Sequence, residues 1–393
     1  MGSIDILKIA KHAQQEKLKN PSIIDATIGM FYNDEQKLVI PAVEHAYHAL
    51  NAQEIFKYGA TDGGREFENN VIDWVLDHKK EMLSKKFVFT GLSTPGGSGA
   101  LSAIFGAYGM PKHKVLVSDL RWRYDYFIHA AKMEVHEHKL FMKNKFNVSD
   151  FKKQLTKLTK KQKRVIVVIN DPCHNPTGYN MEDSEWIEVV NILNSFTENE
   201  IILTLDIAYL DYNPKGFSEA RNVFDHFMNL KDHVQVLMCF SASKSFAMYG
   251  IRLGAIVGLH HNQDQYQYFK KNVVNDALGK WSTAPSVGVG IFNQLVSKKD
   301  DYFPVLEKLT QTLRKRGAIF IKEAKKAKLS MYPYKGGFFV LVKSNNPETD
   351  YYKLVEKGIY LIPMEEGLRV ALSCITTAEV YGLAAKIKEV VGS

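Results

Sequence analysis

Short apolar runs rich in β-branched residues recur through the middle of this 393-residue chain. Such runs are typical of strands buried inside a sheet. Helix-like stretches separate most of them. One of these stretches is predicted to open near Asn180, with Glu182 and Asp183 in its first turn and with Trp186 and Leu193 on its apolar face. The predicted strands occupy residues 87–90, 114–117, 165–169, 201–205, 234–238 and 253–257.

This alternation predicts an α/β fold whose large domain has a mostly parallel sheet flanked on both faces by helices. The last run, at residues 253–257, is expected to form an antiparallel edge. After about residue 290 the pattern changes to long charged helices around a strand at residues 336–339, which indicates a smaller α+β domain. We therefore predict an N-terminal segment (1–45) that joins the small domain, a large domain (46–290) and a small C-terminal domain (291–393).

The composition, with 45% hydrophobic and 24% charged residues, indicates a globular protein. Its net charge of +8 lies largely in lysine runs spaced like solvated helix faces, and no nucleic-acid-binding signature accompanies it, so a nucleic-acid partner is not expected. The apolar runs are too short to cross a membrane, and residues 1–5 do not begin a leader peptide. These features favour a cytoplasmic protein. Three scattered cysteines predict neither a disulfide framework nor a metal site.

Four polar motifs follow four of the predicted strands, where ligands collect in open α/β sheets. The first is a glycine-rich loop, residues 93–101, ahead of an apolar helix whose free amides would suit a phosphate. A dinucleotide site is the alternative, because Asp119 ends a later strand at a distance suited to ribose binding. The glycines, however, do not match that fingerprint.

Each of the other three motifs carries a polar side chain at or after the end of a predicted strand. Asn175 precedes a proline in a stiff turn, and Asp206 ends an apolar strand, where a buried carboxylate needs a cation or a strong donor. Lys244 follows the strand at 234–238 and is the only lysine between Lys231 and Lys270. A lysine desolvated at a strand end has a lowered pKa and offers a free amine for attack on an aldehyde.

Together, the Ser-Ala-Ser-Lys run ending at Lys244, Arg252 eight positions later, the Asn-Pro-Thr-Gly turn and the Asp-Ile-Ala-Tyr segment resemble the class I, fold type I pyridoxal phosphate aminotransferases. The resemblance extends over nearly the whole chain. Within that family the chain is most similar to the aspartate and aromatic amino acid aminotransferases. It implies pyridoxal 5′-phosphate as cofactor, a homodimer with shared active sites, and exchange of an amino group between an amino acid and a 2-oxo acid such as 2-oxoglutarate.

The resemblance also implies roles for individual residues. Lys244 would form the Schiff base and move the substrate proton, Asp206 would pair with the ring nitrogen, and Asn175 and Tyr209 would bind the ring oxygen. The remaining cofactor contacts would come from Gly97, Ser98, Ser241 and Arg252 at the phosphate, Trp122 stacked on the ring, and Tyr58 reaching the partner subunit's phosphate. The substrate would meet Arg369 at its α-carboxylate, with Asn175 and Gly29 nearby.

Two departures from the family pattern bear on specificity. Gly96 stands where relatives often carry a hydroxyl, so one phosphate contact is expected to be missing. Residues 275–286 lack the arginine that dicarboxylate-specific relatives place there, and the nearest cation is Lys280. Aromatic or broad apolar amino donors are therefore favoured, with Phe31, Phe338 and Phe339 as candidates for the pocket wall, although core packing is the expected role of the last two.

Four other functions remain open at this point. The first two use the same cofactor: an aspartate aminotransferase, and a β-lyase acting on cysteine conjugates. A nicotinamide-dependent dehydrogenase would instead use the Gly97 loop with Asp119. A non-catalytic regulator would keep the fold alone, but the N-terminus offers no helix-turn-helix extension for DNA.

Overall fold

The computed structural model describes residues 6–391. Residues 1–5, which bear on the leader prediction, and residues 392–393 lie outside that range. The strands are β1 (Ile24–Asp25), β2 (Val88–Thr94), β3 (Lys114–Ser118), β4 (Glu134–His138), β5 (Phe141–Met142), β6 (Lys145–Phe146), β7 (Arg164–Asn170), β8 (Glu200–Asp206), β9 (Val234–Ser241), β10 (Gly254–His260), β11 (Phe339–Lys343), β12 (Ile359–Tyr360), β13 (Ile362–Met364) and β14 (Gly367–Ala371).

Helices cover these strands and form most of the N- and C-terminal parts of the chain. Short 3-10 segments occur at Asp77–Lys79, Leu210–Tyr212 and Arg221–Asn229, and a π-helical turn at Phe269–Val273. The α-helices are α1 (Ile6–Lys19), α2 (Pro41–His48), α3 (Ala52–Ile55), α4 (Gly64–Leu76), α5 (Lys80–Ser84), α6 (Gly96–Tyr108), α7 (Asp125–Ala130), α8 (Val148–Thr159), α9 (Asp183–Asn194), α10 (Phe217–Ala220), α11 (Ala242–Ser245), α12 (Gln263–Tyr268), α13 (Val274–Trp281), α14 (Ser286–Ser297), α15 (Lys299–Lys326), α16 (Pro347–Glu356), α17 (Thr377–Val380) and α18 (Leu383–Lys388).

A seven-stranded sheet in the order β2-β10-β9-β8-β7-β3-β4 forms the centre of the molecule. Strands β4, β3, β7, β8 and β9 are mutually parallel, and β10 runs antiparallel to both of its neighbours, β2 and β9. The predicted α/β class with a mostly parallel sheet is confirmed. The expected position of the antiparallel strand was wrong, because β10 lies one strand in from the edge and β2 forms the edge itself.

Alternate residues of the central strands enter two apolar cores on opposite faces of the sheet. Along β9, Val236, Met238 and Phe240 pack into one core, whereas Leu237 and Cys239 pack into the other. Burial on both faces explains why β7, β8 and β9 read as continuous apolar runs. The strand β4 escaped prediction because it lies at the edge of the sheet and has the mainly polar sequence Glu-Val-His-Glu-His.

The predicted helix near Asn180 starts slightly later than expected. In the structure α9 begins at Asp183, and Glu182 is its N-cap, joined to Glu185 in a reciprocal capping box. Glu182 was predicted to lie in the first turn, but it lies just before it. Its side chain accepts a hydrogen bond from a backbone amide of that turn.

The N-terminal segment packs against the C-terminal part of the chain. Strand β1 pairs in parallel with β12, and Asp34 accepts hydrogen bonds from Arg316 and Thr377. Strands β11, β14 and β13 form a separate three-stranded antiparallel sheet. The predicted division into domains at residues 45 and 290 stays a prediction. Among residues 6–391, no helix has both the length and the apolar character needed to span a bilayer.

Candidate active site

The parallel strands carry their polar ends to one edge of the central sheet. Asp206 is the last residue of β8 and Ser241 is the last residue of β9, while Asn175 lies in the turn after β7. The antiparallel strand β10 begins at this same edge, where Gly254 pairs with Ser241. The loop between β9 and β10 thus brings Lys244 and Arg252 back over the strand ends.

The start of α6 forms an anion-binding corner with that loop. Gly97, Ser98, Ser241, Ser243 and Arg252 all line one cavity. The first turn of a helix offers amide N–H groups without intrahelical partners, and the hydroxyls and guanidinium add further donors. This set is suited to a phosphate.

The unexpected Gly96 has a steric explanation. Its φ is +73°, and a Cβ atom there would lie 2.5 Å from Nη2 of Arg252. A side chain carrying a hydroxyl would strain the backbone and push the guanidinium away. Gly254 is similarly constrained, because its Cβ would lie 2.4 Å from the backbone carbon of Gly96. Glycine at both positions lets the arginine and the helix start approach each other.

Asp206 is a buried carboxylate held by two donors. Its Oδ2 accepts a hydrogen bond from the Tyr124 hydroxyl at 2.7 Å, and its Oδ1 accepts one from the Ala208 amide at 3.1 Å. Burial raises the pKa of Asp206, and the two hydrogen bonds and the positive charge of Lys244 counteract this rise. The carboxylate therefore faces the cavity as an acceptor suited to a cationic N–H group.

The amine of Lys244 is desolvated between aromatic rings. Its Nζ donates to the carbonyl oxygen of Gly29 at 2.6 Å and lies 4.8 Å from the centre of the Tyr249 ring. Burial, helped by the positive charges of Arg369 and Arg252, lowers the pKa of Lys244 to about 7. A substantial share of this amine is consequently neutral and nucleophilic near neutral pH.

Asn175 lines the same cavity, and Arg369 contacts it. Nη1 of Arg369 donates to the side-chain oxygen of Asn175 at 3.2 Å, and Nη2 donates to the carbonyl oxygen of Thr27 at 3.0 Å. Burial lowers the pKa of this guanidinium to about 10. Its buried Nε has no hydrogen-bond partner within residues 6–391, so the side chain retains a donor for an anion.

Of the other predicted site residues, Tyr209 and Trp122 line the cavity but Tyr58 does not. Burial raises the pKa of Tyr209, which is also a hydrogen-bond partner of Asn175. Tyr58 is 94% exposed on the surface of its own subunit. The structure thus brings together every predicted site residue except Tyr58. Arg369 and Gly29 do not line the cavity themselves, but Arg369 contacts Asn175 and Gly29 contacts Lys244.

The candidates for substrate specificity lie elsewhere. Lys280 pairs with Asp276 at 2.7 Å and donates to the carbonyl of Ser102, on the back of α6. Phe31, Phe338 and Phe339 are buried in the core and do not line the cavity, although the Phe339 ring supports Arg369, whose Cζ lies 4.3 Å from the ring centre. The ring of Phe31 packs against Tyr212 and Phe338, and its predicted place at the pocket wall stays a prediction.

Asp119 does not have the setting of a ribose-binding acid. Its carboxylate accepts the amides of Leu120 and Leu140 and pairs with Lys139. These contacts connect β3 to the segment after β4. The acid therefore has a structural role, and the dinucleotide alternative loses the residue on which it depended.

Three contacts were missed by the sequence reasoning. The Tyr124 hydroxyl reaches Asp206, the Asn170 side chain holds the Asn175 amide at 2.7 Å, and the Tyr249 hydroxyl accepts the amide of Phe31. Asn170 could have been noticed as a polar residue that ends an apolar strand, as Asp206 does. Tyr124 and Tyr249, which make the other two contacts, have no sequence feature that distinguishes them from the remaining seventeen tyrosines.

The cavity these residues enclose has a volume of about 560 Å³. It is lined by hydrogen-bond donors suited to a phosphate, by the Asp206 carboxylate, the Asn175 amide and the Lys244 amine, and Arg369 contacts Asn175. This set of groups matches the phosphate, ring and aldehyde of pyridoxal phosphate, so the residues present fit that cofactor. Fold and cavity together define the fold type I class of pyridoxal phosphate enzymes.

Comparison with known proteins gives the family within that class. The aminotransferase class I and II profile matches residues 21–387. An aspartate aminotransferase of Pseudomonas aeruginosa is 26% identical over 287 residues, which cover 71% of this chain and 70% of that protein. A crystal structure of an aminotransferase from Anaerococcus prevotii superposes with a TM-score of 0.94, at 26% identity, over 100% of this chain and 97% of that one.

A more distant structure shows the same fold. It is the aromatic amino acid aminotransferase of Burkholderia pseudomallei covalently bound to pyridoxal phosphate, with a TM-score of 0.81 at 22% identity, covering 100% of this chain and 98% of that one. The protein belongs to the aminotransferase class I and II family and is a pyridoxal phosphate-dependent amino acid aminotransferase. The dehydrogenase and non-catalytic alternatives are thereby set aside.

Proposed function

We propose that the enzyme transfers the amino group of an aromatic or broadly apolar amino acid to a 2-oxo acid such as 2-oxoglutarate. The observation that carries this proposal is the convergence of Lys244, Asp206, Asn175 and Arg252 on one cavity, with Arg369 directly behind Asn175. Bound pyridoxal phosphate supplies an electron-withdrawing ring that stabilises negative charge at the substrate α-carbon. The protein supplies the groups that orient the substrate and move its protons.

Each residue then has a defined task. Lys244 anchors the cofactor covalently and, as a neutral amine near pH 7, takes the proton from the substrate α-carbon. Asp206 holds a proton on the ring nitrogen, and Asn175 and Tyr209 bind the ring oxygen. Arg369 binds the α-carboxylate through paired donors, one of which it now directs at Asn175.

The remaining predicted contacts complete the cofactor and substrate sites. Trp122 covers the face of the ring, and the carbonyl of Gly29 lies at the substrate side of Lys244, where Lys244 now donates to it. Gly97, Ser98, Ser241 and Arg252 hold the phosphate.

The preference for apolar donors rests on the setting of Lys280. Its amine is already engaged by Asp276 and by a carbonyl on α6, so it is a poor substitute for the missing arginine. The test is a panel of amino acids, each used to convert the enzyme to its pyridoxamine form while the visible spectrum is recorded. Phenylalanine and tyrosine should react faster than aspartate; aspartate reacting far faster would refute the preference.

Aspartate aminotransferase activity is the second candidate, and Arg123 is the observation in its favour. A hollow of about 470 Å³, lined in part by Arg121 and Arg123, adjoins the cofactor cavity at Trp122. Arg121 pairs with Asp125 and Glu137, and Arg123 donates to the Tyr126 hydroxyl at 3.3 Å. The positive charge of Arg123 contributes to the lowered pKa of Arg369. If Arg123 receives a distal carboxylate, Arg123→Met will raise KM for aspartate and 2-oxoglutarate and leave KM for phenylalanine unchanged.

Two experiments test the cofactor anchor and the type of reaction. Borohydride reduction followed by peptide mapping should place the cofactor on Lys244, and a label on another residue would contradict the assignment. The cysteine-conjugate β-lyase alternative predicts pyruvate and ammonia without accumulation of the pyridoxamine form. Accumulation of that form with an amino acid alone supports the aminotransferase.

We further propose a cytoplasmic homodimer in which Tyr58 serves the neighbouring site. The support is its exposure: a tyrosine that is 94% exposed, away from the cavity of its own subunit, is available to another subunit. Tyr58→Phe should weaken cofactor binding, and mixing Tyr58→Phe with Lys244→Ala subunits should yield hybrid dimers with one intact site. Sedimentation as a monomer at assay concentrations would contradict this arrangement.

A further inference from the structure

Tyr124 connects the wall of the cavity to the carboxylate beneath it. Its ring is 2% exposed and meets the Trp122 ring edge-on, with 5.7 Å between the ring centres. Its amide donates to the Trp122 carbonyl oxygen at 2.7 Å. Its hydroxyl donates to Oδ2 of Asp206, also at 2.7 Å. The tyrosine thus has both its ring and its hydroxyl fixed by cavity residues.

We infer that Tyr124 is a positioning residue that aims the Asp206 carboxylate at the cofactor's ring nitrogen and keeps it ionised. This inference rests on the proposed function, in which Asp206 pairs with that nitrogen. The carboxylate has two oxygens, and the structure supports each one separately. Oδ1 is held by its own chain two residues on, at Ala208, whereas Oδ2 depends on Tyr124.

The surroundings of Asp206 explain why the hydroxyl is needed. The titratable groups facing the carboxylate are Tyr124, Tyr209, Cys239 and Lys244. Before the cofactor binds, the positive charge that acts on this carboxylate is that of Lys244, and burial makes that amine partly neutral. A buried carboxylate without such support is protonated more easily. Protonated Asp206 is neutral and cannot form an ion pair with a protonated ring nitrogen. Loss of the Tyr124 hydroxyl should therefore weaken cofactor binding most at low pH.

The test compares pyridoxal phosphate binding by the cofactor-free forms of the wild-type enzyme and Tyr124→Phe. Phenylalanine keeps the ring against Trp122 and removes only the donor. We expect about tenfold weaker binding on the acid side of the binding curve and little change on its alkaline side, since one hydrogen bond to a charged acceptor is equivalent to about one pKa unit. The acid limb of the binding curve should move to higher pH by about the same unit. A general loosening of the fold would instead weaken binding equally at all pH values.

Two further variants make the result specific. Tyr126→Phe removes a hydroxyl two residues away, from a side chain that is 53% exposed, and should leave the binding curve unchanged. In an Asp206→Asn background, Tyr124→Phe should have little additional effect, because the group through which it acts is gone. A full tenfold loss in that background, or an unshifted acid limb in Tyr124→Phe, would overturn the inference.

Failure of the proposed function gives a different result. In that case Asp206 would not pair with the ring nitrogen, and Asp206→Asn would bind pyridoxal phosphate as tightly as the wild-type enzyme. Tight wild-type binding at Lys244 that is unaffected by Tyr124→Phe would instead contradict only the role of Tyr124.

Discussion

The lowered pKa of Lys244 should make the stability of the cofactor-free protein depend on pH in a way that Lys244→Met removes. In the folded state this amine has a pKa of about 7, against an ordinary value of 10.5. Below pH 7 the Lys244 amine is charged in both the folded and the unfolded chain, so burying this charge lowers the free energy of unfolding by the full amount. Between pH 7 and 10.5 the unfolded chain binds more protons, so the free energy of unfolding rises with pH.

The magnitude follows from the two pKa values. The buried charge destabilises the fold by about 4 kcal/mol at pH 7 and about 2 kcal/mol at pH 9. Methionine is similar in length and has no charge, so Lys244→Met loses this pH dependence together with the hydrogen bond to Gly29. The difference in unfolding free energy between variant and wild type should therefore shrink by about 2 kcal/mol from pH 7 to pH 9.

Urea denaturation of both cofactor-free proteins at the two pH values measures this difference. Other groups that titrate in this range are common to both proteins, so their contributions cancel. Lys145→Met, at an exposed position, is the matched control against which the change for Lys244→Met is measured. A difference for Lys244→Met that is the same at pH 7 and pH 9 would show that the amine is not desolvated as described.

Three further changes test other parts of the site. Gly254→Ala places a methyl group 2.4 Å from the backbone carbon of Gly96 and should weaken cofactor binding by about tenfold or more. In the control Gly250→Ala, the added Cβ has no neighbour within 4 Å among residues 6–391, and cofactor binding should not change. Arg369→Lys loses the paired donors and should lower kcat/KM by about 100-fold, mainly through KM. Arg221→Met leaves the buried Asp211 carboxylate without its cation and should lower the free energy of unfolding by about 3–5 kcal/mol in urea titrations.

The features predicted best from the sequence were the buried strands and the polar residues that follow them. Asp206 and Lys244 were identifiable because parallel strands bring their carboxyl ends to one edge, so polar residues after apolar runs converge there. The insertion of β10 between β2 and β9 was not predictable in this way, because an apolar run shows that a strand is buried but not which strands flank it. The polar edge strand β4 lacked even that signal.

Contacts between distant segments were the hardest to predict. Tyr124 follows β3 and Asp206 ends β8, 82 residues later, and only the order of strands in the sheet brings them to 2.7 Å. The missing phosphate contact at Gly96 stays a prediction, but the sequence did not show why glycine is there, which is the close approach of Arg252. Both features depend on which backbone segments lie next to each other in the fold, and the local sequence pattern does not show this.

The antiparallel course of β10 has a consequence for how the chain could be rearranged. Because Ser241 and Gly254 are paired, residues 242–253 form a loop fastened at both ends, and this loop carries Lys244 and Arg252. Inserting or deleting a residue between them would change their separation without altering the sheet. A circular permutant opened beside the exposed Gly250 should therefore keep its strand order and core, yet lose the fixed distance between the amine and the phosphate-binding guanidinium.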